Sequence, residues 1–266
     1  MKKVIGILIL VFLSCEKDEG QNWEENRSKF LVDKIFDNHD NLIAEYFYDT
    51  DNKLIKKVVT DNPGVYRRWV DEFEYEDGRV SKIIHDDQTF DFDYDILVFY
   101  NTEGQLVRSE IKVHDIIIEY SIFHYDEERV KSVFFQDELV SVESNIEYDN
   151  NGNAIKHIHV YPKMDPFGFP IPGEFIEVEK NYEYDNRPKP NFGLDYLFAY
   201  NPLPYNESGE LERGLSQNNM KRANYETTTW IYTYNEFGLP ETIETRWDDI
   251  PLEEPSVIKL SYIKVE

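Results

Sequence analysis

The sequence predicts an all-β fold: an antiparallel up-and-down meander of about 12–14 strands, built from repeated hairpins and curled into a barrel-like or two-layer sheet. Three observations carry this expectation. A tyrosine recurs just before a turn at Tyr48, Tyr75, Tyr100, Tyr125 and Tyr148, with spacings of 27, 25, 25 and 23 residues, and again at Tyr184 and Tyr234. The runs between the turns alternate: in LVRSEIKV (106–113), Val107, Ser109, Ile111 and Val113 interleave with Arg108, Glu110 and Lys112, the period of a pleated strand. The turns are built from Asp, Asn and Gly, as in Glu76-Asp77-Gly78, Asp149-Asn150-Asn151-Gly152 and Asn235-Glu236-Phe237-Gly238. Asp and Asn bond the local backbone, and Gly supplies the positive φ of tight hairpins.

The chain opens with Met1-Lys2-Lys3 and the apolar run VIGILILVFL (4–13). Ten residues are too few to span a bilayer, which takes about 20, but suit the apolar region of a secretory leader. VFLSC resembles a bacterial lipobox, with Phe12 where that motif usually has Leu. The resemblance implies that residues 1–14 are removed and that Cys15, the only cysteine, is lipidated. Several acyl chains, at about 0.8 kcal/mol per buried methylene, would tether the protein durably to a membrane. Residues 15–28 read as an acidic flexible tether, and EKDEG (16–20) resembles the surface-export signal of Bacteroidetes lipoproteins. The expected location is the outer membrane, facing outward, with a periplasm-facing orientation as the alternative.

Residues 29–266 read as one β domain. In FEYE (73–76), Phe73 and Tyr75 share one face and Glu74 and Glu76 the other. Aromatic and β-branched residues suit such half-buried surfaces. The unit at Asp126-Glu127-Glu128-Arg129 lacks glycine, which predicts a looser or different turn. The unit Tyr-x-Tyr-(Asp/Asn)-x-x-Gly resembles the YD (RHS-type) repeat. The order of lipobox, repeats, YEYDNRPKPNFGL (182–194), Ser216-Gln217-Asn218-Asn219 and YTYNEFGLPETIE (232–244) is similar to Bacteroidetes lipoproteins of unknown function with a porin-like fold. That resemblance implies a β fold and an envelope location, and it implies no catalytic residue.

An apolar face of Tyr, Phe, Ile and Val needs cover, and an open meander of this length leaves exposed edges, so the sheet should curl with its aromatic face inward. A membrane-spanning barrel would alternate with the opposite polarity. Charges on both faces of strands such as LIKKVV (54–59) count against it. Two irregular loops are expected. One lies at 161–175, where YPKMDPFGFPIPGEF carries four prolines, and the other at 186–222, with short helices near 191–200 and 209–215.

The net charge of −25 argues against a nucleic-acid partner, because no basic patch offsets the repulsion from phosphates. Asp87, Asp91, Asp93 and Asp95 share one strand parity and are weak candidates for a calcium site, against the plainer reading of a solvated strand face. His157 and His159 stand two apart on one face and could chelate zinc, but no third ligand presents itself, and a surface placement is the simpler reading. Gly-x-Ser-x-Gly, His-Glu-x-x-His and phosphate-loop motifs are absent, so neither an enzyme nor a cofactor is expected. Trp69, beside Arg68, and Trp247 are the candidate ligand-binding residues if exposed, though tryptophans in such a protein are more often core. The expected role is non-enzymatic binding or structure, with a glycan or protein as partner. The alternatives are an enzyme acting on polysaccharide or cell wall and a barrel that holds a small ligand.

Overall fold

The computed structural model describes residues 27–60, 68–90, 92–137, 141–194, 210–224, 227–248 and 255–265. The leader, most of the tether, Cys15 and Trp23 lie outside the described residues. Sixteen strands are found among those described. The first eight are β1 (Phe30–Phe36), β2 (Leu42–Tyr48), β3 (Leu54–Thr60), β4 (Arg68–Glu76), β5 (Arg79–Asp87), β6 (Tyr94–Tyr100), β7 (Leu106–Val113) and β8 (Ile116–Asp126). There follow β9 (Arg129–Gln136), β10 (Ser141–Tyr148), β11 (Ala154–Met164) and β12 (Pro170–Pro188). A helix, α1 (Glu210–Leu215), precedes β13 (Asn218–Ala223), β14 (Thr228–Tyr234), β15 (Pro240–Trp247) and β16 (Ser256–Lys264). Each strand pairs with the next, and β1 pairs antiparallel with β16, so the meander closes into a barrel without an edge.

The all-β meander, its closure and the helix near 209–215 agree with the sequence-based expectation. Sixteen strands exceed the expected 12–14, and the loop expected at 161–175 is largely strand, because the proline-rich stretch lengthens β11 and β12. β11 runs to Met164 and β12 starts at Pro170, with Pro162 opposite Phe175 and Met164 opposite Pro170, so only residues 165–169 turn. The outer part of this hairpin is an exposed arm, with Phe167, Phe169 and Phe175 largely in solvent. Proline is excluded from the middle of a sheet, where the ladder needs its missing N–H, but a ribbon standing clear of the barrel tolerates it.

The recurring tyrosines lie inside the barrel at one end, the end that also holds both strand termini of the closing pair. Five of their hydroxyls donate to a backbone carbonyl near the start of the neighbouring strand, while that of Tyr234 donates to the Asp185 carboxylate. Tyr48 donates to Val32 (2.6 Å), Tyr75 to Leu54 (2.7 Å), Tyr100 to Val80 (3.0 Å), Tyr148 to Val130 (2.8 Å) and Tyr184 to Ala154 (2.8 Å). Tyr232 and Tyr262 do the same to Met220 and Pro240. The ladder shifts register just before the turn tyrosines, for example between Glu74 and Tyr75 and between Glu147 and Tyr148. A bulge of this kind re-aims the side chain and tightens the twist. A cation from the preceding turn lies over the next tyrosine: Lys53 over Tyr75, Arg79 over Tyr100 and Arg129 over Tyr148, at 5.4–5.5 Å.

The turns follow the same logic. Asp49, Asn101, Asp149 and Asn235 each accept two backbone N–H groups on one side-chain oxygen, from the residues two and four further on. The fourth turn position has positive φ, filled by Gly104, Gly152 and Gly238, and by Asn52 where glycine is missing. The turn after β8 is of a different type, as the missing glycine predicts, and not a looser one. It has two residues, and Glu127 takes a φ of 55° so that the strands stay paired up to Asp126 and Arg129.

The interior is apolar. Val32, Tyr46, Leu54, Phe73, Ile83, Ile96, Phe123, Val133, Ile146 and Leu260, from strands all round the barrel, belong to one buried cluster. The described residues between β12 and β13, 189–194 and 210–217, form a plug at the tyrosine end. Asn191 accepts the Val32 N–H on its carbonyl, and Phe192 and Leu211 join the core cluster. Outward, the wall carries ion pairs between neighbouring strands: Lys34–Glu45, Lys56–Glu72, Lys82–Asp95 and Lys156–Glu179.

Candidate functional site

The barrel encloses a cavity of about 590 Å³. Its floor is the plug, through Lys189, Pro190, Phe192 and Arg213, and its wall reaches Trp69, Phe92 and Tyr94 toward the opposite end. That size and an apolar lining with a few polar groups are typical of small-molecule pockets.

Two polar constellations line it. On β4 and β5, inward parity places Trp69, Asp71 and Phe73 opposite Asp87, His85 and Ile83. His85 Nδ1 lies 2.7 Å from Asp71 Oδ1, and Lys57 Nζ lies 3.7 Å from the other carboxylate oxygen. The His85 ring stacks on Tyr94 at 4.2 Å, with Trp69 at 6.3 Å. Across the cavity, the Arg213 guanidinium lies 4.0 Å over the Trp230 ring, and its Nε is buried without a hydrogen-bond partner among the described residues. Lys189 holds α1 from its C-terminal end, donating to the carbonyls of Arg213 (2.5 Å) and Gly214 (3.2 Å), where a cation meets the negative end of the helix.

The sequence-predicted residues fall in different places. Trp69 faces inward and lines the cavity, the interior placement that tryptophans in such a protein more often take. Arg68, its neighbour, has the opposite parity and is exposed, so the two do not share a site. Trp247 continues the parity of Ile243 and Thr245 at the end of β15 and is 36% exposed. The aspartates are not gathered on one strand face, because the run DDQTFDFDYD turns between β5 and β6. Asp87 is buried and accepts the N–H groups of Thr89 and Phe90, and Asp93 accepts that of Asp87. Asp95 pairs outward with Lys82 at 2.8 Å, and Asp91 lies outside the described residues.

His157 and His159 depart most from expectation. Both are buried inside the barrel, their rings 3.9 Å apart. Glu212 of α1 meets them there, hydrogen-bonded to His157 Nδ1 and accepting from the Tyr182 hydroxyl at 2.9 Å. The docking of α1 explains the Ser216-Gln217-Asn218-Asn219 segment. Ser216 Oγ accepts the Ala154 N–H and donates to the Glu212 carbonyl, while Asn153 accepts the N–H groups of Gln217 and Asn218. Glu212 lies 55 positions from His157 in the chain, and nothing local marks it as a partner. The asparagine-rich segment was the one signal that the loop is anchored.

No family model matches the sequence, and no curated protein matches it. Solved structures do resemble the fold. A porin-like protein from Bacteroides vulgatus is 17% identical and aligns over 88% of this chain and 100% of its own, with a TM-score of 0.52. A porin-like protein from Bacteroides uniformis is 12% identical over 89% of this chain and 96% of its own, with a TM-score of 0.40. The TcdB2–TccC3 structure is 14% identical and aligns over 84% of this chain but 11% of its own, at a TM-score of 0.34. The likeness to the first supports the barrel fold.

Proposed function

We propose that the chain is a lipid-anchored, non-enzymatic envelope protein whose barrel holds a small ligand. The observation that carries this reading is the cavity. Its aromatic faces, Trp69, Tyr94 and Trp230, stand beside charged groups, Asp71, Lys57 and Arg213. Aromatic planes suit the C–H faces of sugar rings, and charged or amide groups suit their hydroxyls and acidic substituents, so the ligand class is a mono- or disaccharide-sized glycan. The barrel fold shared with a porin-like protein is compatible with an outer-membrane location. The outward ion pairs Lys56–Glu72 and Lys156–Glu179 favour a barrel held beside the membrane by its anchor, since buried charge in hydrocarbon is costly. β1 begins at the plugged end, so a tether running from it would leave the opposite end of the cavity facing away from the anchor.

The test is tryptophan fluorescence of the full-length protein titrated with a panel of neutral and acidic oligosaccharides, beside Trp69→Ala. Saturable binding by the wild type, weakened at least tenfold by the substitution, is the expected result. A panel with no binder, or equal binding by the variant, sinks the reading. The Asp71–His85 pair favours one alternative, a polysaccharide-acting enzyme. Release of product from a bound glycan, lost in His85→Ala, would establish that reading instead.

A further inference from the structure

We propose that His157, His159 and Glu212 form a buried binding site for one divalent transition-metal ion, with zinc as the ion that fits best, and that this ion fastens the plug helix to the barrel wall. The proposal is independent of the ligand assigned to the cavity.

The donor atoms of the three side chains lie within 4.8 Å of one another. Ligands round a tetrahedral zinc stand roughly 3.4 Å apart, so side-chain rotations of about an ångström bring them onto one ion. The exposures of His157, His159 and Glu212 are 0%, 2% and 2%. The hydrogen bond between His157 Nδ1 and Glu212 satisfies one contact and leaves three atoms over. His157 Nε2, His159 Nε2 and Glu212 Oε2 are all buried with no hydrogen-bond partner among the described residues. A buried polar atom without a partner costs about 1–3 kcal/mol, and three in one place are unusual. A single cation held through His157 Nδ1, His159 Nε2 and the Glu212 carboxylate gives two of the three a partner, His159 Nε2 and Glu212 Oε2, and leaves only His157 Nε2 without one. The proton shared by His157 and Glu212 leaves to solvent as the ion enters, because the metal takes neutral imidazole and ionised carboxylate.

The donor set selects the ion. Two imidazoles and one carboxylate suit zinc and its neighbours, whereas calcium and magnesium take oxygen. Complete burial also separates the site from catalytic centres, which keep an open position for substrate. The second layer is already built. Tyr182 orients the Glu212 carboxylate, and Ser216 pins the C-terminal end of α1 to β11 at Ala154, three residues before His157. The next residue on the helix, Arg213, lines the cavity, so an ion at Glu212 also holds a cavity residue in place.

The experiment uses the untagged full-length protein, stripped with a chelator and titrated with Co2+ and then Zn2+. One equivalent of Co2+ should give a visible ligand-field band that one equivalent of Zn2+ abolishes. His159→Ala and Glu212→Gln should each weaken binding by at least about 100-fold, and Tyr182→Phe by about tenfold, as loss of an outer partner does. Thermal melting supplies a second readout: chelator should lower the midpoint of the wild type and leave that of a folded Glu212→Gln protein unchanged. A wild type that binds neither ion stoichiometrically, or substituted proteins that bind as the wild type does, overturns the proposal.

Discussion

The tyrosines that recur along the chain act one by one. Several hydroxyls tie neighbouring strands together from inside by donating to a backbone carbonyl, as Tyr75 does to Leu54 and Tyr148 to Val130, and Tyr234 donates to the Asp185 carboxylate. Burial makes them weaker acids. Tyr75 is pushed up to about 12, and Tyr48, Tyr148, Tyr184 and Tyr234 are raised well beyond the ordinary value of about 10, in each case mainly by removal from water. The consequence for stability has a definite sign. A group whose folded pKa is raised stabilises the fold fully below its unfolded pKa and loses that contribution as pH rises through the folded value. The barrel should therefore weaken above pH about 10 and unfold cooperatively on approach to 12. Phenolate absorbance and circular dichroism followed together should change in one step. Ionisation of most tyrosines near pH 10 with the dichroism intact would contradict the interior placement.

At the scale of the element, turn chemistry decides how well each hairpin is made. Asp149 shows the full device, one oxygen for two backbone N–H groups, with Gly152 at a φ of 84° and Asn153 tied both to Asp149 and to Asn218 at the start of β13. The hydrogen bonds accepted from the turn hold the Asp149 carboxyl below the usual carboxylate range, against the opposing effect of burial. The turn after β8 lacks that device and holds Glu127 in the left-handed region instead. A non-glycine residue there carries strain of roughly 1–2 kcal/mol, part of which glycine's greater freedom in the unfolded chain cancels. Glu127→Gly should therefore stabilise the protein by about 0.5–1 kcal/mol in urea denaturation, with no change in the slope. Equal or lower stability would show that the turn is not strained. The proline-rich hairpin is the element that composition misrepresents. Its prolines read as a break in the sheet, yet beyond the barrel no third strand asks for their missing N–H, and β11 and β12 continue as a ribbon.

At the scale of the whole molecule, closure governs the energetics. Pairing β1 with β16, which begin and end some 230 residues apart, removes both edges at once, and the N–H of Val265 donates to the Lys29 carbonyl just outside that seam. The polarity of the closed wall is apolar inside and charged outside, with interstrand ion pairs distributed round the exterior. Such pairs are individually worth about 0–1 kcal/mol at a surface, so they speak to the surrounding medium more than to stability. A barrel of this kind should need its anchor to stay at a membrane. Cys15→Ser, expressed in a Gram-negative host, should move the protein from the membrane fraction to the soluble fraction with its barrel dichroism unchanged. Retention in the membrane would point to contact through the wall itself.

The class of fold, the repeated unit and the two-faced alternation of the strands were legible in the sequence, because period-two alternation and turn chemistry are local properties that side chains impose on a few neighbours. The same period put His157 and His159 on one strand face. Tertiary structure decided which face was the interior of a closed barrel, and so turned Trp69 from a surface candidate into a cavity wall. It also decided what meets the histidines. Glu212 reaches them through a helix anchored by Ser216 and Asn153, and such a contact depends on the path of the intervening chain in space, which no local pattern encodes.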